Sequence, residues 1–99
     1  MMEVTVLLLD QMFPSTAVGP IEVFRHAGSL WNHLTGKPTK PRFNVTTASI
    51  DGRLVGCDGP LHIQPTAAIP DIRRTDLIFI PSTDVSIDDV VERNTPMMP

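Results

Sequence analysis

Two short apolar segments, Val4 to Leu9, rich in Val and Leu, and Leu77-Ile78-Phe79-Ile80, do most to limit what this 99-residue chain can become. Neither alternates apolar with polar residues as a half-buried strand would. A continuous apolar run of this length belongs to a strand buried on both faces, the habit of parallel sheets. Asp10 closes the first run, and Pro81 follows the second. Between them, Val18, Ile21, Phe24, Ala27, Trp31 and Leu34 recur at intervals of three or four, which predicts one stripe on an amphipathic helix running from Ser15 to Leu34. Gly36 and Pro38 stop that helix. Gly19-Pro20 is expected near its beginning, giving a bent or staged start and leaving Phe13 to Val18 in the loop that feeds it.

The rest of the chain fills in an α/β pattern. Lys37 to Pro41 is a stiff polar connection. Phe43 to Ile50 is rich in β-branched residues, and Asp51-Gly52 followed by Arg53 to Gly56 predicts a hairpin turning at Asp-Gly, with Leu61 to Gln64 as a third arm. Pro65 to Arg74 has room for a helical turn or two between its prolines. Ser86, Asp88 and Asp89 have the character of a helix N-terminus, with Ile87, Val90 and Val91 on its apolar side. The expected fold class is a flavodoxin-like open sheet, mostly parallel, in three layers with helices on both faces, of which this chain carries the first half plus a β-hairpin. Right-handed crossovers place the first strand between the second and the Leu77 strand. One long helix and one incomplete one leave part of such a sheet exposed unless further chain or another subunit covers it.

Composition narrows the function classes. A mass of 10.9 kDa allows one domain, burying roughly 65% of the surface its unfolded chain exposes. A formal net charge of −3 gives no overall attraction to a polyanion, which argues against nucleic-acid binding by this chain itself. No apolar run approaches the ~20 residues of a membrane helix, and no basic segment opens a signal peptide, so a cytoplasmic chain is expected. The single cysteine, Cys57, excludes an internal disulfide and leaves no cysteine cluster for zinc. His26 and His33 stand seven apart on the expected helix, with His62 on a distant strand; solvated or core-edge histidines explain them better than a metal site. Gly52, Gly56 and Gly59 lack the strand-to-helix setting of a phosphate loop, and no cofactor is expected. The basic patches Lys37, Lys40, Arg42 and Arg73-Arg74 read as solvated loops.

In an open α/β sheet, ligands lie beyond the carboxyl ends of the strands, where connections diverge to opposite faces. Here those ends are Asp10 to Thr16 and Pro81 to Asp84. Asp10, Thr16, Ser82 and Thr83 are therefore the candidate pocket residues, each with an ordinary loop or capping role as its plain alternative. Glu22 joins them by its setting in Gly19 to Phe24, although an acidic residue in a first helical turn is also what the helix dipole favours.

The sequence Gly19-Pro20-Ile21-Glu22-Val23-Phe24, together with the strand ending in Asp10 and the run Asp76-Leu77-Ile78-Phe79-Ile80-Pro81, resembles the ThiJ/PfpI superfamily of glutamine-amidotransferase-like domains, and within it the amino-terminal domains of AraC-type transcriptional regulators. The resemblance implies that residues 1–99 are the amino-terminal part of one such domain, ending before the elbow that carries a nucleophilic cysteine, with the DNA-binding domain not present. Cys57 precedes the Leu77 strand and does not match that cysteine. Enzymes of the superfamily place a carboxylate four positions before the proline of the Gly-Pro pair; here that position is Thr16, whose hydroxyl ionises far outside the working pH range. Where many relatives have Gly-Gly after the apolar strand, this chain has Ser82-Thr83. The resemblance thus implies a non-catalytic domain that senses a small-molecule effector and forms a homo-oligomer, with DNA reached only through a missing carboxy-terminal domain and no membrane involved. A ThiJ/PfpI-type enzyme whose cysteine lies past Pro99 is the rival. A receiver domain fits less well, because Gln11 and the Pro81-Ser82 strand end supply no acidic cluster.

Overall fold

A computed structural model of the chain describes residues 1–83. The helix expected from Ser86 lies outside the described residues. Strand β1, Met2–Leu7, runs parallel to β2, Phe43–Ser49, in the register Met2 with Phe43 through Leu7 with Ala48. On its other side β1 is parallel to β6, Leu77–Phe79, pairing Val4 with Leu77 and Val6 with Phe79. A two-residue strand β5, Ala67–Ala68, adds to the far side of β2, so the sheet order is β5-β2-β1-β6 and every pairing in it is parallel. The first strand stands between the second and the Leu77 strand, as expected.

Adjacent residues in register point to the same side of a sheet. Val4, Val6 and Leu8 therefore share a face with Phe43, Val45 and Phe79, and all of these belong to one apolar cluster. The helix covering that face is α1, Pro14–His26, which adds Ala17, Ile21 and Phe24. Phe24 meets Phe43 edge-on with ring centroids 5.0 Å apart, a favoured aromatic geometry. On the opposite face Thr5 and Ala48 are buried, whereas Ile78 and Ile80 at the β6 edge are 53% and 64% exposed.

The helix departs from expectation at both ends. It starts at Pro14, which takes the first-turn position without losing a helical bond, so residues 14–18 are helix rather than loop and Pro20 lies inside it. It ends at His26; Gly28, at φ +76°, then turns the chain before a separate short helix α2, Leu30–Leu34. The stripe consequently holds only at Ile21 and Phe24; Val18, although inside α1, is exposed, and Ala17 is buried in its place. Trp31 and Leu34, which keep the spacing across the break, are 71% and 68% exposed.

The Asp51-Gly52 hairpin does not form. Both edges of β2 are occupied, by β1 and by β5, so no edge remains for a returning strand. Asp51 instead accepts the Arg53 N–H in a local turn. The hairpin lies further on: β3, Val55–Gly56, pairs antiparallel with β4, His62–Ile63. Its Val55, Cys57 and Ile63 pack into the same apolar cluster as β1. The helical turns expected in Pro65 to Arg74 reduce to β5 and one 3-10 turn, Ile69–Asp71. Thr66 fixes β5 to β2 by donating its N–H and hydroxyl to the Thr47 carbonyl at 3.1 Å each.

At the amino end of the sheet, Asp76 accepts the Glu3 N–H at 2.7 Å and lies beside the Arg74 guanidinium at 3.3 Å. The backbone hydrogen bond first, and Arg74 after it, hold the Asp76 carboxyl below the usual carboxylate range. A folded-state value below the unfolded one contributes stability that is present above the ordinary carboxylate pKa and lost as pH falls through the folded value. Asp76→Asn is expected to flatten the acid side of the stability profile, read as urea midpoints between about pH 5 and pH 2.

Candidate functional site

Beyond the carboxyl ends of β1 and β6 the chain makes one compact knot. Phe13 donates its N–H to the Ser82 carbonyl at 2.9 Å, and Met12 and Thr83 form an antiparallel bridge. Inside this frame Thr16 donates its hydroxyl to the Phe13 carbonyl at 2.6 Å and accepts the Ser82 N–H at 3.0 Å. Three of the sequence-derived site residues, Thr16, Ser82 and Thr83, are thereby brought together, although 66 positions separate Thr16 from Ser82. Thr16 is not the helix cap, since Phe13 holds that position with no side-chain cap bond; its hydroxyl instead ties the first turn of α1 to the end of β6.

Asp10 sits beside the knot against the β3–β4 hairpin. Its Oδ1 lies 3.8 Å from where a side chain on Gly56 would begin, and the His62 ring lies 3.8 Å from the same point. The hairpin is moored there by Gln11 N–H to the Gly56 carbonyl at 2.8 Å and Asp58 N–H to the Met12 carbonyl at 2.9 Å. Gln11 carries φ 63°, a left-handed conformation that lets the loop face the hairpin. Glu22 does not join the group. Because α1 begins at Pro14, Glu22 is exposed in its third turn rather than its first. It stands about 9 Å along the helix axis from Thr16 and on another face.

Cys57, buried at 4% exposure, lies in the core next to Asp10. Burial pushes its thiol up from the ordinary value, and the Asp10 charge pushes it further. A thiol so placed is a weak nucleophile. Alkylation by iodoacetamide near pH 8.5 should be slow in the folded chain and fast in urea, and Asp10→Asn should speed it severalfold without unfolding; mass spectrometry of quenched samples measures both. The gathering of Cys57 and His62 near Asp10 was not foreseen. The signal for it was Asp58-Gly59-Pro60, a turn that sets His62 opposite Gly56.

The chemistry available is recognition by hydroxyls, backbone amides and one carboxylate. Among the described residues no group of three His, Cys, Asp or Glu side chains could hold a metal ion, and no helix is long and apolar enough to cross a membrane. The Thr16 hydroxyl is committed in both directions. Thr16→Val should cost about 1 kcal/mol and speed amide exchange at Ser82, while Thr16→Ser keeps most of both.

No family model matches the sequence, and no curated protein matches it. Solved structures do. The chain superposes on a "putative transcriptional regulator protein" from Vibrio parahaemolyticus with a TM-score of 0.62 at 17% identity, covering 91% of this chain and 45% of that one. It superposes on a DJ-1 superfamily protein from Agrobacterium tumefaciens with a TM-score of 0.56 at 17% identity, covering 98% of this chain and 50% of the other. The chain shares the α/β fold of these two structures. The chain spans about half the length of these solved structures. Within this fold, the Thr16 knot lies at the carboxyl ends of adjacent parallel strands, where open α/β sheets take ligands.

Proposed function

We propose that the chain is the first half of a non-catalytic effector-sensing and oligomerisation domain in a cytoplasmic transcriptional regulator of the AraC type. The observation that carries this reading is the Thr16 hydroxyl, locked between the Phe13 carbonyl and the Ser82 N–H at the position where the resemblance implies a carboxylate in the enzymes. A group committed to two backbone partners ties the helix start to the end of β6 and has no proton to exchange with a substrate at neutral pH. The likeness to a protein called a transcriptional regulator supports the same reading.

In this reading Asp10, Thr16, Ser82 and Thr83 frame the site of a small-molecule effector, and Glu22 lies outside it. Exposed Ile78 and Ile80 at the β6 edge give the domain an apolar surface through which copies or the remaining half-domain associate. DNA binding belongs to a separate carboxy-terminal segment. The DJ-1-type likeness also favours the rival, a fragment of a cysteine-dependent enzyme such as a hydratase, amidase or glyoxalase-like hydrolase. Reading the gene past the Pro99 codon separates the two. A further half-domain followed by a basic segment with two helix-turn-helix patterns is the expected result. A frame that closes soon after one elbow cysteine, with no such segment, transfers the chain to the enzyme reading.

A further inference from the structure

At the amino ends of the strands, opposite the Thr16 knot, the structure has an open cleft of about 600 Å3, a volume suited to a small molecule. Two basic segments distant in sequence meet there, Lys40 and Arg42 from the approach to β2 and Arg74 from the approach to β6. Neither segment hangs free. Lys40 donates its N–H to the Gly28 carbonyl at 2.7 Å, and the Arg42 carbonyl accepts the Met2 N–H at 3.0 Å. Gly28 carries no side chain, which lets the Lys40 carbonyl and the Arg42 Cγ lie directly against it.

The one carboxylate lining the cleft, Asp76, is already engaged by the Glu3 N–H and by Arg74. Lys40 and Arg42 have no ion-pair partner among the described residues. Positive charge is thus in excess here, in a chain whose net charge is −3. Between the charged groups, Met2, Pro41 and Phe43 give the cleft an apolar lining. Charged groups around an apolar lining match a ligand with an anionic head and an apolar body, since a guanidinium offers two parallel N–H donors to a carboxylate or phosphate.

We infer that this cleft binds a small organic anion, with its charged head on Lys40 and Arg42 and its apolar body against Met2 and Phe43. The site is separate from the effector pocket at the other end of the sheet and does not depend on that reading.

The test is an NMR titration of the 99-residue chain with benzoate, and with benzyl alcohol as a neutral probe of similar shape. Benzoate is expected to shift the amides of residues 2, 40, 42, 43, 74 and 76 saturably, and benzyl alcohol to do so far more weakly. Arg42→Gln retains the Cγ that packs on Gly28 and removes the charged guanidinium; it should weaken benzoate about tenfold. Lys40→Gln provides a second variant, with no packing role in the fold, should Arg42→Gln lose its dispersed spectrum. Equal binding of the two probes, unchanged benzoate binding in both variants, or shifts centred on Asp10, Thr16 and Ser82 would each overturn the assignment. So would a mixed-sequence DNA duplex that displaces benzoate from these residues and binds more tightly, which would make the cleft a phosphate-backbone contact.

Discussion

Gly28→Ala is expected to cost about 3 kcal/mol or more, among the largest losses any single substitution in the described residues should produce. Two effects add. The φ of +76° lies in the left-handed region, which charges a non-glycine residue about 1 kcal/mol or more. A Cβ there would also stand 2.1 Å from the Lys40 carbonyl oxygen, far inside contact distance, and that atom belongs to backbone rather than to a flexible side chain. The segment cannot simply step aside. Its Lys40 N–H is bonded to the Gly28 carbonyl at 2.7 Å, and Asn32 Nδ2 bonds both that carbonyl and the Pro38 carbonyl. Gly36→Ala is the control, because Gly36 has nearly the same φ, +74°, with open space around the missing Cβ. It should lose only the conformational part, about 1 kcal/mol. Urea denaturation of the three proteins measures the difference. If Gly28→Ala loses no more than Gly36→Ala, the chain from Lys37 to Arg42 is free to move, and the basic wall of the cleft is not fixed.

Leu8→Ala is expected to cost about 3 kcal/mol, within the range of about 2–5 kcal/mol for emptying a leucine site in a close-packed core. Leu8 is 1% exposed, and its N–H bonds the Ala48 carbonyl at 2.8 Å, which extends the β1–β2 ladder one step past the strand. Its cluster includes Met12, Ala17, Val55 and Cys57, contributed by the loop, the helix and the hairpin that surround the Thr16 knot. The surroundings are anchored by backbone bonds on several sides and should relax only partly into the void. A domain of this size has roughly 5–15 kcal/mol in all, so the variant should melt more than 10 °C lower. Ile78→Ala, at a half-exposed edge position, should cost under about 1 kcal/mol and act instead on any concentration dependence of the melting temperature. A Leu8→Ala loss as small as that of Ile78→Ala would mean the carboxyl end of β1 is loosely packed and unable to hold the Thr16 knot in shape.

The strands and their order were legible from the two apolar runs, but burial was legible only in the first: Val4, Thr5, Val6 and Leu8 are buried, whereas the Leu77 to Ile80 run, expected to be buried on both faces, is an edge strand among the described residues, with Leu77, Ile78 and Ile80 exposed. Thr16, Ser82 and Thr83 followed from the same topology, since strand ends meet wherever adjacent parallel strands end together. Other features depended on contacts that a sequence does not display. The stripe through Trp31 and Leu34 continues the helical spacing of Phe24, so periodicity alone could not show that Gly28 breaks the helix. Asp51-Gly52 has the chemistry of a hairpin turn, yet a turn makes a hairpin only if a strand edge is vacant, and β5 had taken it. That strand is two alanines long between prolines, below any length at which pattern is informative. Glu22 was misplaced within its helix because Pro14, rather than Pro20, opens it. The cleft at the amino ends was hidden for another reason: Lys40 and Arg42 look like loop charges until the fold sets Arg74 across from them.

The central position of β1 has a consequence for how the chain is made. It is synthesised before both of its ladder partners, which begin at Phe43 on one side and Leu77 on the other. At roughly 5–20 residues per second, the most apolar strand of the sheet waits several seconds without either neighbour, and closing the contact between Glu3 and Asp76 spans 73 positions. Non-local pairing of this kind cannot be rewarded until the loop is closed. The nascent chain therefore passes through a period in which Val4 to Leu9 is exposed and adhesive, and any factor that shields this strand during synthesis should raise the yield of folded protein more than one acting after release.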